Sequence, residues 1–484
     1  MNAPLWTVDA MAAAMQAERA GALPAAVDGI SIDSRSIAPG EAFFAIKGDA
    51  HDGHGFVAAA LKNGAGVAVV AQEKRGDMPA DARLLVVPDV LAGLRDLAAA
   101  ARARGEGKIV AVTGSVGKTS TKEALRLALS RDGETHASVA SFNNHWGVPL
   151  SLARLPKAAR YGVFEIGMNH AGEITPLTRL VRPDVAIITT IAPVHLEFFG
   201  TLEAIADAKA EIFLGLVPGG VAVLNRDNAQ FAHLARRARE AHVARIVTFG
   251  EHKSADARLL RCALAPDVST VEAEILGHRV TYKVGAPGRH LVINSLAVLA
   301  ATELVGADLA LAALALAEQT PAAGRGTRIA LGVPGGPALL IDESYNANPT
   351  SMRAALALLG QAQIGPRGRR IAVLGDMLEL GPAGADLHRE LVDAIREHAI
   401  DLVFCAGPLM AALWQALPSE RRGGYAKDSS ALEPDVVAAV RGGDAMMVKG
   451  SFGSRMGPIV KALVRRFPAP GAADAAPDRV SAQG

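Results

Sequence analysis

Cysteine is scarce in this chain of 484 residues, which contains only Cys262 and Cys405. Their separation fits neither the ligand spacing of a metal site nor a disulfide framework, so zinc modules and disulfide-stapled domains are excluded. So little cysteine is typical of a reducing compartment, and we expect the protein in the cytoplasm. Aromatic residues are also few, at 4%, so the core is expected to consist largely of Ala, Val and Leu.

Excess charge and long apolar runs are missing as well. The formal net charge is +1, which gives no electrostatic reason to expect a nucleic-acid partner. The longest purely apolar run, Leu309–Ala317, has nine residues and is too short to cross a bilayer. Asp9 and Glu18 interrupt the alanines near the amino end, so no signal peptide is expected. We expect a soluble monomer without a membrane span.

The most informative stretch that is present is Ile109–Lys122, which reads IVAVTGSVGKTSTK. Its β-branched start suits a buried strand, and Gly114 and Gly117 allow a sharp turn that brings the backbone close to a ligand. The residues after Lys118 begin a helix whose free N–H groups and positive dipole end favour an anion. The pattern indicates a phosphate-binding loop for a nucleoside triphosphate.

One position departs from the general pattern G-x-x-x-x-G-K-[ST], because Val112 stands where the first glycine would be. The competing interpretation is an ordinary strand-to-helix turn with a surface lysine. That interpretation requires the glycines, the lysine, the hydroxyls and the strand to coincide by chance, so we prefer the phosphate loop. Lys118 would then meet a β- or γ-phosphate, and the Thr119 hydroxyl is placed for Mg²⁺.

Strands alternate with helical patterns from this loop onward, which predicts an α/β fold with parallel sheets. The length favours about three domains: a small α/β amino-terminal domain, a central P-loop domain with a parallel sheet, and a carboxyl-terminal Rossmann-like α/β domain. The expected boundaries are 1–88, 89–320 and 321–467, with residues 468–484 as a disordered tail. The predicted central strands are Ile109–Thr113, Gly162–Ile166, Val185–Ile191, Gly220–Leu224 and Arg245–Phe249, followed by an antiparallel flank over Asp256–Val284. The longer predicted helices include Thr121–Ser130, Leu202–Leu216, Leu291–Val305 and Ala385–His398.

Two polar residues follow central strands, at the edge where ligands of open α/β sheets collect. Glu165 lies near the end of one strand, and His195 follows another. Each residue alone is as well explained by a structural role, but together with Thr119 they could hold Mg²⁺ ions on a transferring phosphoryl group. Lys209, in the run DAKAEIFLGL, is expected to be a solvated lysine on an amphipathic helix, because a protonated lysine has no lone pair for a metal.

Polar residues also follow strands in the carboxyl-terminal half. Asp342 ends a predicted strand and is followed by the run ESYNANP, which is either a well-capped strand-to-helix loop or a binding loop. Arg325, in the predicted linker 320–326, could reach phosphates with its planar fork, and Lys449 ends another strand. Near the amino end, groups suited to a diphosphate are offered by Ser34, Arg35 and Lys47.

Taken together, these residues resemble the Mur ligases, ATP-dependent enzymes that add amino acids to the peptidoglycan precursor. The runs that carry the resemblance are IDSRSIAPGEAFFAIKGDAHDGHGFVAAALKNGA, TGSVGKTSTK and GRHLVINSLAVLAA. The family has its own version of the phosphate loop, which accounts for Val112. The resemblance implies that the amino-terminal domain binds the UDP-sugar precursor, that the central domain binds ATP, and that the carboxyl-terminal domain closes on ATP and binds the incoming amino acid or dipeptide.

The resemblance also implies roles for individual residues. Catalysis is assigned to Lys118, Glu165, His195 and Lys209, and metal binding to Thr119, Glu165, His195 and a carbamylated Lys209. The implied ATP-binding residues are Gly114, Ser115, Val116, Gly117, Lys118, Thr119, Ser120, Asn294, Arg325 and Asp342. The implied substrate-binding residues are Ser34, Arg35, Lys47, Asn143, Asn144, Tyr345, Asn346, Asn348 and Lys449.

Within the family, the runs IDESYNANPTSMRAAL and VLGDMLELGPAGADLH resemble the members that use ATP and Mg²⁺ to join D-alanyl-D-alanine to a UDP-N-acetylmuramoyl-tripeptide through an acyl phosphate. A member that adds lysine or diaminopimelate is the near alternative, although no DNPR-type motif is present. More distant alternatives are a folylpolyglutamate-type ligase, a P-loop NTPase that signals by hydrolysis, and an inactive protein that binds a nucleotide sugar.

Overall fold

The computed structural model describes residues 3–48, 51–139 and 142–469. Within these residues the predicted α/β fold is confirmed, because three larger sheets follow one another along the chain and helices alternate with their strands. Residues 470–484, most of the predicted tail, lie outside the described residues. No described helix is both long enough and apolar enough to span a membrane.

The first sheet has five strands and belongs to the amino-terminal part. Its strand order is Glu18–Ala20, Leu84–Val87, Val67–Ala71, Ala42–Phe44 and Ile30–Ser31, with only the first pair antiparallel. The runs VAVVA and LLVV are buried along their whole length, as expected for a parallel sheet covered on both faces. The remaining elements of this part are a small antiparallel pair, Trp6–Thr7 with Ala26–Val27, the helices Val8–Met15 and Val57–Lys62, and the 3-10 turns Gly53–Phe56 and Gln72–Asp77.

The second sheet has nine strands and carries the phosphate loop. Its order is His278–Val284, Ser269–Ile275, Ala257–Leu264, Arg245–Gly250, Val221–Asn225, Val185–Ile188, Lys108–Thr113, Tyr161–Glu165 and Thr135–Ala137. Ala257–Leu264 is parallel to its neighbour Arg245–Gly250, and the two strands that follow it are antiparallel. The antiparallel flank predicted over Asp256–Val284 is therefore confirmed.

Helices cover both faces of this central sheet. They are Val90–Arg104, Lys118–Leu129, Gly147–Ala153, Ile174–Val181, Leu196–Phe199, Leu202–Ala210, Phe231–Glu240, Arg289–Leu304 and Leu309–Ala315, with 3-10 turns at Glu211–Gly215 and Leu316–Glu318. Alternate residues of the strand Lys108–Thr113 enter two different cores, as the two-residue period of a strand requires. Val112 is fully buried in the core that includes residues of helix Arg289–Leu304, so a packed side chain occupies the position of the missing glycine.

The third sheet has six strands, and only its edge pair is antiparallel. Its order is Thr327–Val333, Gly336–Glu343, Ala445–Lys449, Arg370–Gly375, Leu402–Ala406 and Arg422–Ala426. The helices of this part are Pro349–Gly360, Gly384–Arg389, Leu391–Glu397, Met410–Ala416, Ser429–Ala439 and Gly457–Arg466, with 3-10 turns at Gly381–Ala383, Ser419–Arg421 and Phe452–Ser454.

Three predicted elements are shorter than expected. The strand that begins at Val185 ends at Ile188 rather than Ile191, because the backbone beyond it bonds the phosphate loop: Ser115 N donates to Thr190 O over 2.8 Å. The helix from Leu202 changes to a 3-10 turn after Ala210. The single helix predicted over Ala385–His398 is two helices, Gly384–Arg389 and Leu391–Glu397.

Candidate active site

The phosphate loop connects the strand Lys108–Thr113 to the helix Lys118–Leu129. Gly114 and Gly117 have φ angles of +145° and +88°, which side-chain-bearing residues rarely adopt. A Cβ on Gly114 would lie 2.0 Å from Thr189 Oγ1, and one on Gly117 would lie 2.5 Å from Asn294 Nδ2. Both positions therefore require glycine, as the phosphate-loop interpretation predicted.

Side chains of the loop bond back to its own backbone. Lys118 Nζ donates to Gly114 O over 2.8 Å, and Ser120 Oγ donates to Gly117 O over 3.1 Å. Burial lowers the pKa of Lys118 from its usual value, Glu165 opposes this effect, and the cation of Arg325 adds to it. The loop thus presents a lysine and the first turn of a helix to one side of the site.

Glu165 ends the strand beside the loop strand and pairs in register with Val112. Its side chain is buried, and both carboxylate oxygens accept hydrogen bonds from neutral groups. Thr119 Oγ1 donates to Oε2 over 2.9 Å, and Asn143 Nδ2 donates to Oε1 over 2.7 Å. A carboxylate and a hydroxyl at a phosphate loop are oxygen ligands that suit Mg²⁺, which binds one or two carboxylates together with phosphate oxygens and water.

His195 precedes the short helix Leu196–Phe199 and has a left-handed backbone, with φ of +54°. Its Nδ1 hydrogen-bonds the carboxylate of Glu379, which lies beyond the strand Arg370–Gly375 of the third sheet. The bond with His195 lowers the pKa of Glu379, and partial burial opposes that effect. In the described part of the chain, no cluster of three or more His, Cys, Asp or Glu side chains could hold a metal ion. A Mg²⁺ site here therefore needs the Thr119 hydroxyl, phosphate oxygens and water as well.

The expectation that Lys209 is a solvated lysine is wrong. Its side chain is 1% exposed, because the helix Leu202–Ala210 turns this position into the protein interior. Burial lowers the pKa of Lys209 well below its usual value, and the nearby cation of Lys118 lowers it further. Burial thus shifts Lys209 toward the neutral amine, which has the lone pair that a protonated lysine lacks.

Residues in and beside the third sheet supply a second wall of the site. The guanidinium of Arg325 lies over the ring of Tyr345, with its central carbon 4.1 Å from the ring centroid. The buried Lys449 donates from Nζ to Glu343 Oε2 over 2.9 Å and to Asn346 O over 3.0 Å. The polar run after Asp342 is thus a loop that holds a buried cation and an arginine–tyrosine stack.

These two walls enclose one cavity of about 740 Å³. The predicted site residues that line it are Ser115, Val116, Gly117, Lys118, Thr119, Ser120, Asn143, Glu165, His195, Asn294, Arg325, Tyr345, Asn346, Asn348 and Lys449. The phosphate loop and the polar loop of the third sheet therefore face the same space, although about two hundred residues separate them in the sequence.

Other predicted site residues do not line this cavity: Gly114, Asn144, Lys209, Asp342, Ser34, Arg35 and Lys47. Asp342 Oδ1 accepts hydrogen bonds from Ser344 N over 3.0 Å and Ser344 Oγ over 2.6 Å, so it fixes a turn. Asn144 Oδ1 accepts from Gly147 N over 2.9 Å.

The three amino-terminal residues Ser34, Arg35 and Lys47 lie near the first sheet. Arg35 bonds both carboxylate oxygens of Asp33, over 2.9 and 2.7 Å, and these bonds lower the pKa of Asp33 to about 2. Lys47 forms an isolated backbone bridge with Asp52. This group of residues is separate from the cavity at the phosphate loop.

Several cavity residues were not predicted from the sequence. They are Glu343, Asn225 and Glu251. Glu343 belongs to the run ESYNANP, and the other two lie at the ends of strands Val221–Asn225 and Arg245–Gly250. Their position at strand ends was the available signal. Glu379 carried no such signal, because its contact with His195 joins residues 184 positions apart.

Comparison with known proteins places this fold and site in one family. Three domain models match successive parts of the chain: the Mur ligase family, catalytic domain, over residues 26–102; the Mur ligase middle domain over 112–302; and the Mur ligase, glutamate ligase domain, over 325–452. The UDP-N-acetylmuramoyl-tripeptide–D-alanyl-D-alanine ligase of Escherichia coli is 34% identical, with 90% of this chain and 94% of that protein covered.

Solved structures agree with this result. A crystal structure of MurF from Acinetobacter baumannii superposes with a TM-score of 0.81 at 31% identity, covering 96% of this chain and 100% of that one. MurF ligase from Thermotoga maritima in complex with ADP superposes with a TM-score of 0.73 at 26% identity, covering 90% and 97%.

The fold and the phosphate-loop cavity thus define a ligase of the P-loop α/β class. The chain belongs to the Mur ligase family. The family and ligase class predicted from the sequence are confirmed, and the interpretation as a signalling P-loop NTPase loses its support.

Proposed function

We propose that this protein uses ATP to join D-alanyl-D-alanine to a UDP-N-acetylmuramoyl-tripeptide. The relative from Escherichia coli that covers nearly the whole chain carries this activity in its name. The observation that carries the proposal is the shared cavity, in which the phosphate loop faces the polar loop of the third sheet. A ligase that activates a carboxylate needs the phosphoryl donor and the incoming amine at one place, and this cavity offers groups for both.

In the first step, the terminal carboxylate of the tripeptide attacks the γ-phosphorus of ATP, and ADP leaves. Lys118 and the N–H groups at the start of helix Lys118–Leu129 stabilise the charge that spreads over the transferred phosphoryl group. Arg325, held on Tyr345, supplies a second cation to the same cavity. The product is an acyl phosphate, in which the former carboxylate oxygen links carbon to phosphorus.

In the second step, the amine of D-alanyl-D-alanine attacks the acyl carbon, phosphate leaves and the amine loses a proton. No protein nucleophile is needed. The polar groups around Asn346 and Lys449 line the same cavity as the phosphate loop, and we expect the dipeptide to bind near them.

The residues present fit a magnesium ion at the loop. Thr119 and Glu165 would hold it, and His195 lines the same cavity. When bound, Mg²⁺ neutralises negative charge on the phosphates. In its neutral form the buried amine of Lys209 can add to carbon dioxide, forming an N–C bond and releasing a proton, and the resulting carbamate would add a negative charge to the interior near Lys118.

We further propose that the amino-terminal part binds the UDP part of the acceptor through Ser34, Arg35 and Lys47. We also propose that the domain boundaries fall at residues 88 and 320. The protein is proposed to act as a monomer in the cytoplasm. The contact with Asp33 uses two of the five N–H donors of the Arg35 guanidinium, and the others can bind a diphosphate. Nitrocellulose-filter binding of the labelled nucleotide sugar to Arg35→Ala tests the UDP site, and light scattering tests the monomeric mass.

The test of the function is ADP release with matched acceptors and amines. We expect release with the UDP-N-acetylmuramoyl-tripeptide plus D-alanyl-D-alanine. The matching dipeptide acceptor plus diaminopimelate or lysine should give none. Release with diaminopimelate but not with D-alanyl-D-alanine would overturn the proposal.

A further inference from the structure

The loop that contains His195 is attached to the third sheet at two points. The imidazole Nδ1 of His195 hydrogen-bonds the Glu379 carboxylate, and Glu197 N donates to the backbone oxygen of Glu379 over 3.2 Å. One residue of the carboxyl-terminal part therefore holds both a side chain and a backbone group of the central part.

Both members of this contact have a left-handed backbone, with φ of +54° at His195 and +62° at Glu379. Residues that carry a side chain adopt this conformation rarely, and it persists where surrounding contacts hold it in place. His195 is also the residue just before the helix Leu196–Phe199. The direction of its ring is thus determined by the backbone on one side and by Glu379 on the other.

The contact with Glu379 engages only one of the two ring nitrogens of His195. Nδ1 is engaged by Glu379, whereas His195 itself lines the cavity together with Thr119 and Glu165. A carboxylate that accepts the Nδ1–H bond keeps the lone pair of the neutral ring on Nε2, which is the form in which histidine binds a metal ion. Glu379 does not line the cavity, and its carboxylate reaches the site through its bond with His195.

We propose that Glu379 is a positioning residue that orients His195 toward a divalent cation at the phosphate loop. The carboxyl-terminal part thereby orients one ligand of a metal site whose ligands all belong to the central part. This inference rests on the magnesium site of the proposed function. It adds a consequence for that site: metal affinity depends on the arrangement of two parts of the chain.

The test uses Mn²⁺ in place of Mg²⁺, with the full-length protein and a non-hydrolysable ATP analogue. Electron paramagnetic resonance gives the Mn²⁺ affinity, and pulsed measurements show coupling to a histidine ¹⁴N nucleus. We expect that coupling in the wild type. Glu379→Ala should weaken Mn²⁺ binding about tenfold to a hundredfold and reduce the nitrogen coupling. Glu379→Gln keeps an acceptor oxygen and should recover most of both.

The matched control is Glu390→Ala, which removes a carboxylate of the same part that pairs with Arg353 at the surface, over 3.1 Å. It should bind Mn²⁺ as the wild type does. Wild-type affinity and nitrogen coupling in Glu379→Ala would overturn the proposal, as would a wild type without histidine coupling. Affinity in Glu379→Gln no better than in Glu379→Ala would contradict positioning through the acceptor oxygen. Neither acceptor nor dipeptide is present in these samples, so failure of the proposed ligase activity would be seen separately, in the ADP-release assay.

Discussion

Thr119 donates a hydrogen bond from its hydroxyl to Glu165 Oε2 over 2.9 Å, and this bond joins the first turn after the phosphate loop to the neighbouring strand. The parallel pairing that sets Glu165 beside Val112 places the carboxylate at the loop. Its other oxygen accepts from the Asn143 amide. Neutral donors thus hold a buried carboxylate in position, and its charge remains for a cation that binds with the phosphates.

Replacing the carboxylate of Glu165 by a neutral amide tests whether its charge binds Mg²⁺. Glu165→Gln keeps the size of the side chain and an oxygen for Thr119, so we expect the protein to remain folded. Turnover should fall on the order of a hundredfold to a thousandfold, and the Mg²⁺ concentration for half-maximal rate should rise. A Mg²⁺ titration of the ADP-release rate measures both, and an unchanged Mg²⁺ dependence would contradict the assignment.

Lys118→Ala removes the cation that the loop presents to the phosphates. Because this charge acts on the transferred phosphoryl group, turnover should fall by at least about a hundredfold, while binding of the nucleotide sugar at the first sheet is retained. Isothermal titration with the nucleotide sugar and the ADP-release assay separate the two effects. Lys157→Ala, which changes an exposed lysine, is the control. Parallel loss of binding and turnover would indicate misfolding instead.

Lys209→Ala should lose activity that short carboxylic acids such as acetate partly restore, since a free carboxylate can replace the carbamate in the space left by the side chain. In the wild type, ¹³C-labelled carbon dioxide should give a carbamate signal in the nuclear magnetic resonance spectrum that the variant lacks. Absence of both the rescue and the signal would leave a buried neutral amine as the state of Lys209.

The burial of His136 predicts that the free energy of unfolding depends on pH, independently of the candidate active site. Burial lowers the pKa of His136 from 6.5 to about 4, and the bond between its Nε2 and Ser151 O, at 2.7 Å, opposes that shift. Below pH 6.5 the unfolded chain binds a proton that the folded protein does not bind until about pH 4. Stability should therefore decrease as the pH falls through this window, by up to about 3 kcal/mol.

Urea unfolding at pH 7 and pH 5 measures this effect. His136→Gln keeps a donor for the Ser151 carbonyl but does not titrate, so the difference in unfolding free energy between the two pH values should be smaller than in the wild type. An equal difference in both proteins would assign the pH dependence to other groups.

The fold was largely predictable because the sequence patterns that indicate its strands and helices are local. The strand Lys108–Thr113 and the antiparallel flank after Asp256 follow from β-branched runs and alternation along the sequence. The end of the strand from Val185 was not predictable, because Thr190 bonds Ser115 of the phosphate loop rather than another strand. A composition that suits a strand does not reveal which backbone partner is available.

The site was predictable to the extent that it lies at strand ends. Glu165 and His195 were found by that rule, and the cavity brings both to the phosphate loop. The burial of Lys209 was missed because helical periodicity does not show that a charged position faces the interior. The contact between His195 and Glu379 was missed because it depends on how two sheets approach each other.

The most direct test of the proposed mechanism traces oxygen from the tripeptide carboxylate into the released phosphate. The UDP-N-acetylmuramoyl-tripeptide is prepared with ¹⁸O in its terminal carboxylate and is incubated with ATP, Mg²⁺ and D-alanyl-D-alanine, and the released phosphate is analysed by mass spectrometry. If the phosphate loop activates the carboxylate as an acyl phosphate, the released phosphate carries one ¹⁸O and the product amide forms in equal amount. Phosphate without ¹⁸O, released at the same rate as ADP, would show that water attacks ATP and would contradict the account.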